Sequence, residues 1–200
     1  MTTIRFNALM LVVFSLIAFG CTQPPLRPGW VTLLDDGKGL EKFDRVGDAN
    51  WRWEDGALVA DKGTGNSYIV TKNAYTDFQL KAEFWADHTT NSAIHMRVQD
   101  PANVTDTNSY EANIFDQRPD PTFGTGSIVS FAGASGSPKA GGRWNIYEIT
   151  ATGPHIVVTL NGVRTAVVEN AAFARGPIAL QYNADPGGAI RWRKLQVKPL

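Results

Sequence analysis

Residues 78–116 read FQLKAEFWADHTTNSAIHMRVQDPANVTDTNSYEANIFD, and the alternation within this stretch decides the fold. Phe78, Leu80, Ala82 and Phe84 share one side of a first segment, with Gln79, Lys81, Glu83 and Trp85 on the other. In a second segment Ser92, Ile94 and Met96 oppose Asn91, Ala93, His95 and Arg97. In a third, Tyr110, Ala112, Ile114 and Asp116 oppose Glu111, Asn113 and Phe115. A period of two is the pattern of a strand packed on a core along one face. Placing the three strands in one sheet gathers Glu83, His95, Arg97, Glu111 and Asn113 on its second face, with Trp85 beside them. Two acids, an imidazole, a guanidinium and an amide make that a candidate polar binding face.

Outward from this centre, the remaining signals are also strands and turns. Trp30–Leu34 is a short strand ended by Asp35-Asp36-Gly37, and Asp55-Gly56 joins Trp51–Glu54 to Ala57–Ala60 as a type I′ hairpin. Tyr68–Thr71 follows a Gly-Thr-Gly-Asn-Ser turn, and Asn161-Gly162 joins His155–Leu160 to Val163–Val168. Arg143–Thr150, Pro177–Tyr182 and Ile190–Val197 complete the strands, with one helical turn expected near Ala171–Arg175. The Gly- and Pro-rich connection from Gln117 to Gly142 holds a candidate strand at Ser127–Phe131; a connection of that length in a compact domain is functional or disordered. About a dozen short strands with no fixed repeat indicate an all-β, two-sheet antiparallel jelly-roll sandwich rather than a propeller.

The first residues belong to no fold. Arg5 precedes an apolar run from Ala8 to Phe19, and Ala18-Phe19-Gly20 leads into Cys21. The run is too short to span a bilayer and has the length of a signal-peptide core. Residues 1–20 are therefore expected to be a signal peptide. Ala-Phe-Gly-Cys resembles a bacterial lipobox, with Ala18 where Leu is commoner, so Cys21 would be the lipidated residue. An ordinary signal with a chance cysteine nearby is the alternative. Cys21 is the only cysteine, so an exported domain would hold no internal disulfide. Residues 21–28, rich in proline, read as a tether, and 29–200 as a single domain of an exported protein that touches a membrane only through its N-terminal lipid.

Lys plus Arg and Asp plus Glu number 19 each, and loss of Arg5 with the signal leaves a net charge of minus one. With no basic block there is no electrostatic footprint for nucleic acid. Nucleotide fingerprints and a Gly-x-Ser-x-Gly elbow are absent. Of three histidines none has ligand spacing with another; His88 and His155 read as solvated turn and strand-start residues.

Nine blocks, in order, carry a resemblance: GWVTLLDDGKGLEKF, WEDGALVA, FQLKAEF, NSAIHMR, SYEANIFD, GGRWNIYEIT, VTLNGV, GPIALQ and IRWRKLQVKPL. Together they make the chain from Gly29 to Leu200 resemble the DUF1080, or 3-keto-disaccharide hydrolase, family. That resemblance implies a concanavalin A-like fold, a sugar ligand on the concave face and cleavage of glycosides oxidised to a ketone at C3. Such a ketone acidifies the C2 hydrogen, so a base can remove it while the C1 substituent leaves. The base would be Glu111 or His95, Arg97 would stabilise the enolate, and Glu83 would be the acid or an orienting partner. A divalent metal held by His95 and one or two carboxylates is another source of positive charge. Asn113 and Gln181 would bind sugar hydroxyls and Trp85 would stack on a ring.

Each assignment has a plainer counterpart. Glu83 and Arg97 can be a structural ion pair, the amides can be outward polar positions, and the other five tryptophans show that this chain also uses the residue as filler. Lys139 could reach the site from its loop. Many members of the family carry a His shortly after the Leu-Gln of the penultimate strand, whereas this chain continues Tyr182-Asn183-Ala184-Asp185. A sugar-binding module without catalysis is therefore the competing reading. An endo-glucanase reading rests on Glu111-Ala-Asn113-Ile-Phe-Asp116, which has the spacing of an E-x-D-x-x-E motif but not its residues.

Overall fold

Alternation buries one face of Phe78–Ala86, Arg143–Thr152 and His155–Leu160, whereas Asn91–Met96 and Tyr110–Phe115 are buried on both faces, and two sheets close over the core. The computed structural model describes residues 29–200; the signal, lipidation and tether assignments lie outside them. Among the described residues are thirteen strands and no α-helix. They are β1 (Val31–Asp35), β2 (Phe43–Val46), β3 (Arg52–Glu54), β4 (Ala57–Ala60), β5 (Asn66–Tyr75), β6 (Phe78–Ala86) and β7 (Asn91–Met96). There follow β8 (Tyr110–Phe115), β9 (Arg143–Thr152), β10 (His155–Leu160), β11 (Val163–Glu169), β12 (Gly176–Asn183) and β13 (Ile190–Pro199). The eight-stranded sheet runs β11-β10-β9-β6-β13-β4-β3, with β1 also on β13; the five-stranded sheet runs β2-β5-β12-β7-β8. This is the two-sheet antiparallel jelly-roll sandwich that the sequence indicates.

The core lies between the sheets. Leu80, Phe84, Tyr147, Trp192 and Leu195 from the larger sheet meet Ile69, Ile94, Met96, Tyr110 and Leu180 from the smaller. Trp192 is fully buried against Phe84, which also packs on Tyr147, with ring centroids 5.7 and 5.1 Å apart. Burial of one such ring stabilises the fold by about 2–3 kcal/mol. Both hairpins form as read: Asp55-Gly56 and Asn161-Gly162 have positive φ at both positions, as a type I′ turn requires.

Three local expectations are corrected. The stretch 171–175 contains no helical turn, and the two single-turn 3₁₀ segments are Leu40–Lys42 and Pro121–Phe123. Ser127–Phe131 is not a full strand: Ile128 forms isolated bridges to Ala112 and Ala132. Yet residues 126–129 do lie along β8, with Val129 N–H donating to Glu111 O at 3.0 Å and Asn113 N–H to Ser127 O at 3.1 Å.

The third correction matters most. β6 does not pair with β7; it lies between β9 and β13, in the opposite sheet. The link Asp87–Thr90 is a corner of the sandwich. The Asp87 carboxylate accepts from Thr89 N–H, at 2.9 Å, and from Ala189 N–H, at 2.8 Å, and fixes the crossing. A short polar link reads like a hairpin loop, and alternation specifies faces without specifying the neighbouring strand.

Candidate functional site

Cross-strand register turns the outer face of the five-stranded sheet into three rows. Val70, Ala179, His95 and Glu111 are opposite one another in the first. Tyr68 faces Gln181 and Ala93 faces Asn113 in the second, and Asn66, Asn183, Asn91 and Phe115 form the third. Ala93, a small side chain, is therefore flanked by Gln181, Asn113, His95 and Asn91, with Glu111 diagonal to it. The loop after β7 folds back over this face. Val98 and Val104 pack on Tyr68, Val70 and Ala179 as a second apolar cluster, and Tyr68 donates its hydroxyl hydrogen to Val104 O at 3.1 Å.

Hydrogen-bond accounting fixes the state of His95. Ser109 donates its one hydroxyl hydrogen to Thr105 O at 2.6 Å, so its oxygen accepts from His95 Nδ1–H at 2.8 Å. That leaves His95 Nε2 as a bare acceptor. The amide groups of Gln181 and Asn113 are also committed on one side. Gln181 Nε2 donates to Asn66 Oδ1 and the Tyr68 hydroxyl, and Asn113 Nδ2 donates to Phe123 O at 2.6 Å. His95 Nε2, Gln181 Oε1 and Asn113 Oδ1 are buried acceptors with no protein partner. An acceptor left in that condition costs about 1–3 kcal/mol. Three around one small residue make a place that favours a ligand rich in hydroxyl donors, or a cation.

Burial dominates the titration here. Glu111 is pushed up to about 7, first by desolvation and then by the charge of Asp106, with Arg118 pulling the other way. His95 is pushed down to about 3 by burial; Gln181 partly offsets this without a hydrogen bond of ordinary geometry to the ring. Glu111 is thus an acid–base group poised at neutrality, and His95 a neutral ring. Glu111 and Gln181 keep 8% and 6% of their surface accessible, while Ala93, His95 and Asn113 are closed off. At the third row an open cleft of about 420 Å³ is lined by Asn91, Phe115, Gln117, Asn183 and Asp185.

Stability should carry this signature. Glu111, raised in the fold from a reference of 4.5, contributes stability that is lost as pH rises through 7. His95, lowered from 6.5, contributes stability that is lost as pH falls through 3. The two slopes oppose each other between their reference values. The expected melting temperature is flat near pH 5–6 and falls on either side. Glu111→Gln should remove the alkaline fall, gaining up to about 3 kcal/mol at pH 8 and little at pH 4.5. Calorimetry at the two pH values checks this, and equal gains at both would contradict it.

The other assigned residues lie elsewhere. Glu83 and Trp85 occupy the outer face of the eight-stranded sheet, where Glu83 pairs with Arg193 at 2.7 Å and Trp85 lies opposite Trp144. They cannot share a site with Glu111. Arg97 follows the end of β7 with φ of 53°, which takes it out of the alternation. Its guanidinium is buried, donating to Thr76 O at 2.8 Å, Gly153 O at 2.7 Å and Phe173 O at 3.1 Å, with Asp77 at 3.3 Å. It ties three loops together and points away from the Ala93 face. Lys139 donates to Asp116 O, and the Asp116 carboxylate accepts from Thr125 Oγ1–H and from the N–H groups of Ala140 and Gly141. Asp116 is therefore a loop anchor, which removes the last acid of the endo-glucanase pattern. His155 pairs with Glu169 at the surface, and His88 lines a cleft with Asp116, Lys139 and Arg143.

Sequence reasoning passed over Tyr68, Ser109 and Asp106. Tyr68 did lie in an expected strand with the right parity; Ser109 and Asp106 belong to a loop whose position no local pattern encodes. As for metal, no group of three or more His, Cys, Asp or Glu side chains comes together among the described residues. The ligands beside His95 are Glu111 and amide oxygens rather than a second carboxylate.

Comparison with known proteins bears on this geometry. A family model described as a 3-keto-alpha-glucoside-1,2-lyase-like domain matches residues 29–198. Among solved structures, the chain is similar to a provisionally named glycosyl hydrolase of Parabacteroides distasonis. The two are 26% identical, with a TM-score of 0.70, over 86% of this chain and 100% of that one. A second such protein from the same organism is 16% identical, with a TM-score of 0.72, over 86% and 94% of the two chains. A carbohydrate-binding module of Bacillus subtilis shares the fold at 14% identity and a TM-score of 0.60, over 86% and 96%. No curated protein matches the chain.

Proposed function

We propose, from the premise that this chain belongs to the 3-keto-alpha-glucoside-1,2-lyase-like domain family, that the Ala93 face cleaves glycosides bearing a ketone at C3. At the coarser level the domain is a carbohydrate-related jelly roll of the glycosyl hydrolase-like or carbohydrate-binding kind. The observation that carries the finer reading is Glu111: a mostly buried carboxylate with its pKa pushed up to about 7, beside a ring of buried acceptors.

In this mechanism the Glu111 carboxylate removes the proton on C2, and the electron pair forms a C2–C3 double bond as the C3 oxygen becomes negative. Return of that charge restores the ketone, forms a C1–C2 double bond and expels the C1 oxygen, which takes a proton. Addition of water at C1, with a proton returned to C2, completes a net hydrolysis. The bare acceptors of His95, Gln181 and Asn113 orient the sugar through its hydroxyl groups. Arg97 does not supply the counter-charge at C3, because it is engaged by Thr76, Gly153 and Phe173. A divalent ion, when bound by His95 Nε2 and the Gln181 and Asn113 oxygens in place of those sugar hydroxyl groups, would polarise the C3 ketone and leave Glu111 free as the base.

The deciding experiment is turnover of a 3-keto-glucoside with a chromogenic leaving group, with and without chelator, beside the unoxidised glucoside. Release from the keto substrate alone supports elimination, and chelator sensitivity adds the ion. Equal release from both substrates would overturn elimination. Since the base must be ionised, kcat/KM should rise as pH increases through about 7 and then level off. A profile flat from pH 5 to 9 would remove Glu111 from the proton transfer.

One observation favours a second reading. Asn183 stands in the third row, two residues past Gln181, in the region where many members of the family carry a histidine. If neither substrate is cleaved and calorimetry shows sugar binding, the face is a carbohydrate-binding site without catalysis.

A further inference from the structure

The outer face of the eight-stranded sheet, on the far side of the core from Glu111, carries a second constellation. Register sets Arg191, Trp85 and Trp144 side by side on β13, β6 and β9. The Arg191 guanidinium lies 5.8 Å from the Trp85 ring centre and that of Arg193 4.4 Å from the Trp144 ring centre. Trp144 and Ile146 are 39% and 45% exposed. An open cleft of about 360 Å³ runs over Trp85 and Trp144. A second cleft of about 240 Å³ over Lys81, Glu83 and Ile146 continues it along the same strands.

The charges on this face are paired. Arg193 meets Glu83 at 2.7 Å, Arg191 meets Glu54 at 3.1 Å, Lys81 meets Glu148 at 2.8 Å and Lys194 meets Asp35 at 3.3 Å. Such surface pairs add little stability. Here they hold donors and acceptors in fixed positions beside flat aromatic surface. The core of a protein–protein interface is depleted in charged residues, and this face is not. An anionic polymer needs uncompensated cations, and those lining the clefts are matched by acids.

We propose that this face is a second carbohydrate-binding site, for a neutral glycan chain, separate from the Glu111 face and independent of catalysis there. The chemistry that fits is a pyranose ring, whose C–H face stacks on an indole while its hydroxyl rim meets guanidinium and carboxylate groups. Trp85 and Trp144 supply the stacking surface, and Arg191, Arg193, Glu83 and Asp55 border it. From Lys81 to Trp85 the strand extends about 13 Å, so the trough accommodates more than one ring. Trp30, with the Lys81 ammonium 5.6 Å from its ring centre, adds aromatic surface beside the Lys81 end.

The test is native affinity electrophoresis of the protein in gels containing a soluble neutral β-glucan, a soluble neutral α-glucan or polygalacturonate. At least one neutral glucan should retard the wild type. Trp144→Ala should weaken that retardation at least tenfold and Trp85→Leu likewise, while Glu111→Gln retains it. Circular dichroism and melting temperature establish that the variants fold. Retardation by no neutral glucan, or by polygalacturonate alone, overturns the proposal. So does a Trp144→Ala variant that binds like wild type. Sedimentation showing self-association that Trp144→Ala abolishes, with no glucan effect, would instead make the face an interface between copies and overturn the proposal too.

Discussion

Glu111→Gln is expected to lower turnover of a 3-keto-glucoside by about 10²–10⁴-fold, the range for removal of a general base, while leaving the sandwich intact. Gln keeps the length and the planar head of Glu but cannot take a proton from C2. The side chain is buried, and burial is the main reason that its pKa stands near 7. The same substitution that removes the base therefore removes an unfavourable buried charge. Two readouts from one variant should move in opposite directions at pH 8: activity down and melting temperature up. A structural glutamate would lose both together. Stability given up at a position that does chemistry is the usual trade at functional sites. Full activity in Glu111→Gln would exclude the residue from the mechanism.

Arg97→Met should have the larger effect on folding. Its guanidinium satisfies the carbonyl groups of Thr76, Gly153 and Phe173 while itself only 1% exposed, and Asp77, which it faces, also accepts from Gly153 N–H at 2.8 Å. Methionine fills much of the stem volume but leaves those groups without donors. The expected cost is about 3–5 kcal/mol, seen as a lower urea midpoint with little change in slope. In protein that remains folded, kcat should stay within a few-fold of wild type. An unchanged urea midpoint with abolished turnover would return Arg97 to the chemistry and contradict its place in the structure.

The contrast between these two residues shows how much of the site was legible. In sequence they look alike, polar residues on alternating segments within one stretch. Glu111 lies inside a regular strand, so parity gives its face correctly. Arg97 lies just past one, where a single positive φ cancels the parity argument. Glu83 fails for a different reason: its parity is right, but alternation does not say which sheet the strand joins, and Asp87 sends the chain across at the next corner. His95 lies on the face that alternation gives it, but alternation does not say that this face is covered. Its burial comes from the loop that folds back after β7, and a polar loop rich in Asn, Asp and Thr does not announce that its two valines will pack on Tyr68. The strands, hairpins and two-layer architecture follow from local pattern. The composition of the site follows from which layers and loops meet, and those contacts are non-local.

The segment running beside β8 has a consequence of another kind. β8 ends the five-stranded sheet, and an uncovered end strand offers a row of free amide and carbonyl groups on which a neighbouring chain can template itself. Residues 126–129 occupy part of that row, taking up the backbone of Glu111 and Asn113. The strand that presents the acid is thus shielded along this stretch from edge-to-edge growth, without the lysine or proline that would otherwise blunt it. The long connection after β8 thereby guards a sheet border that carries an acid and an amide.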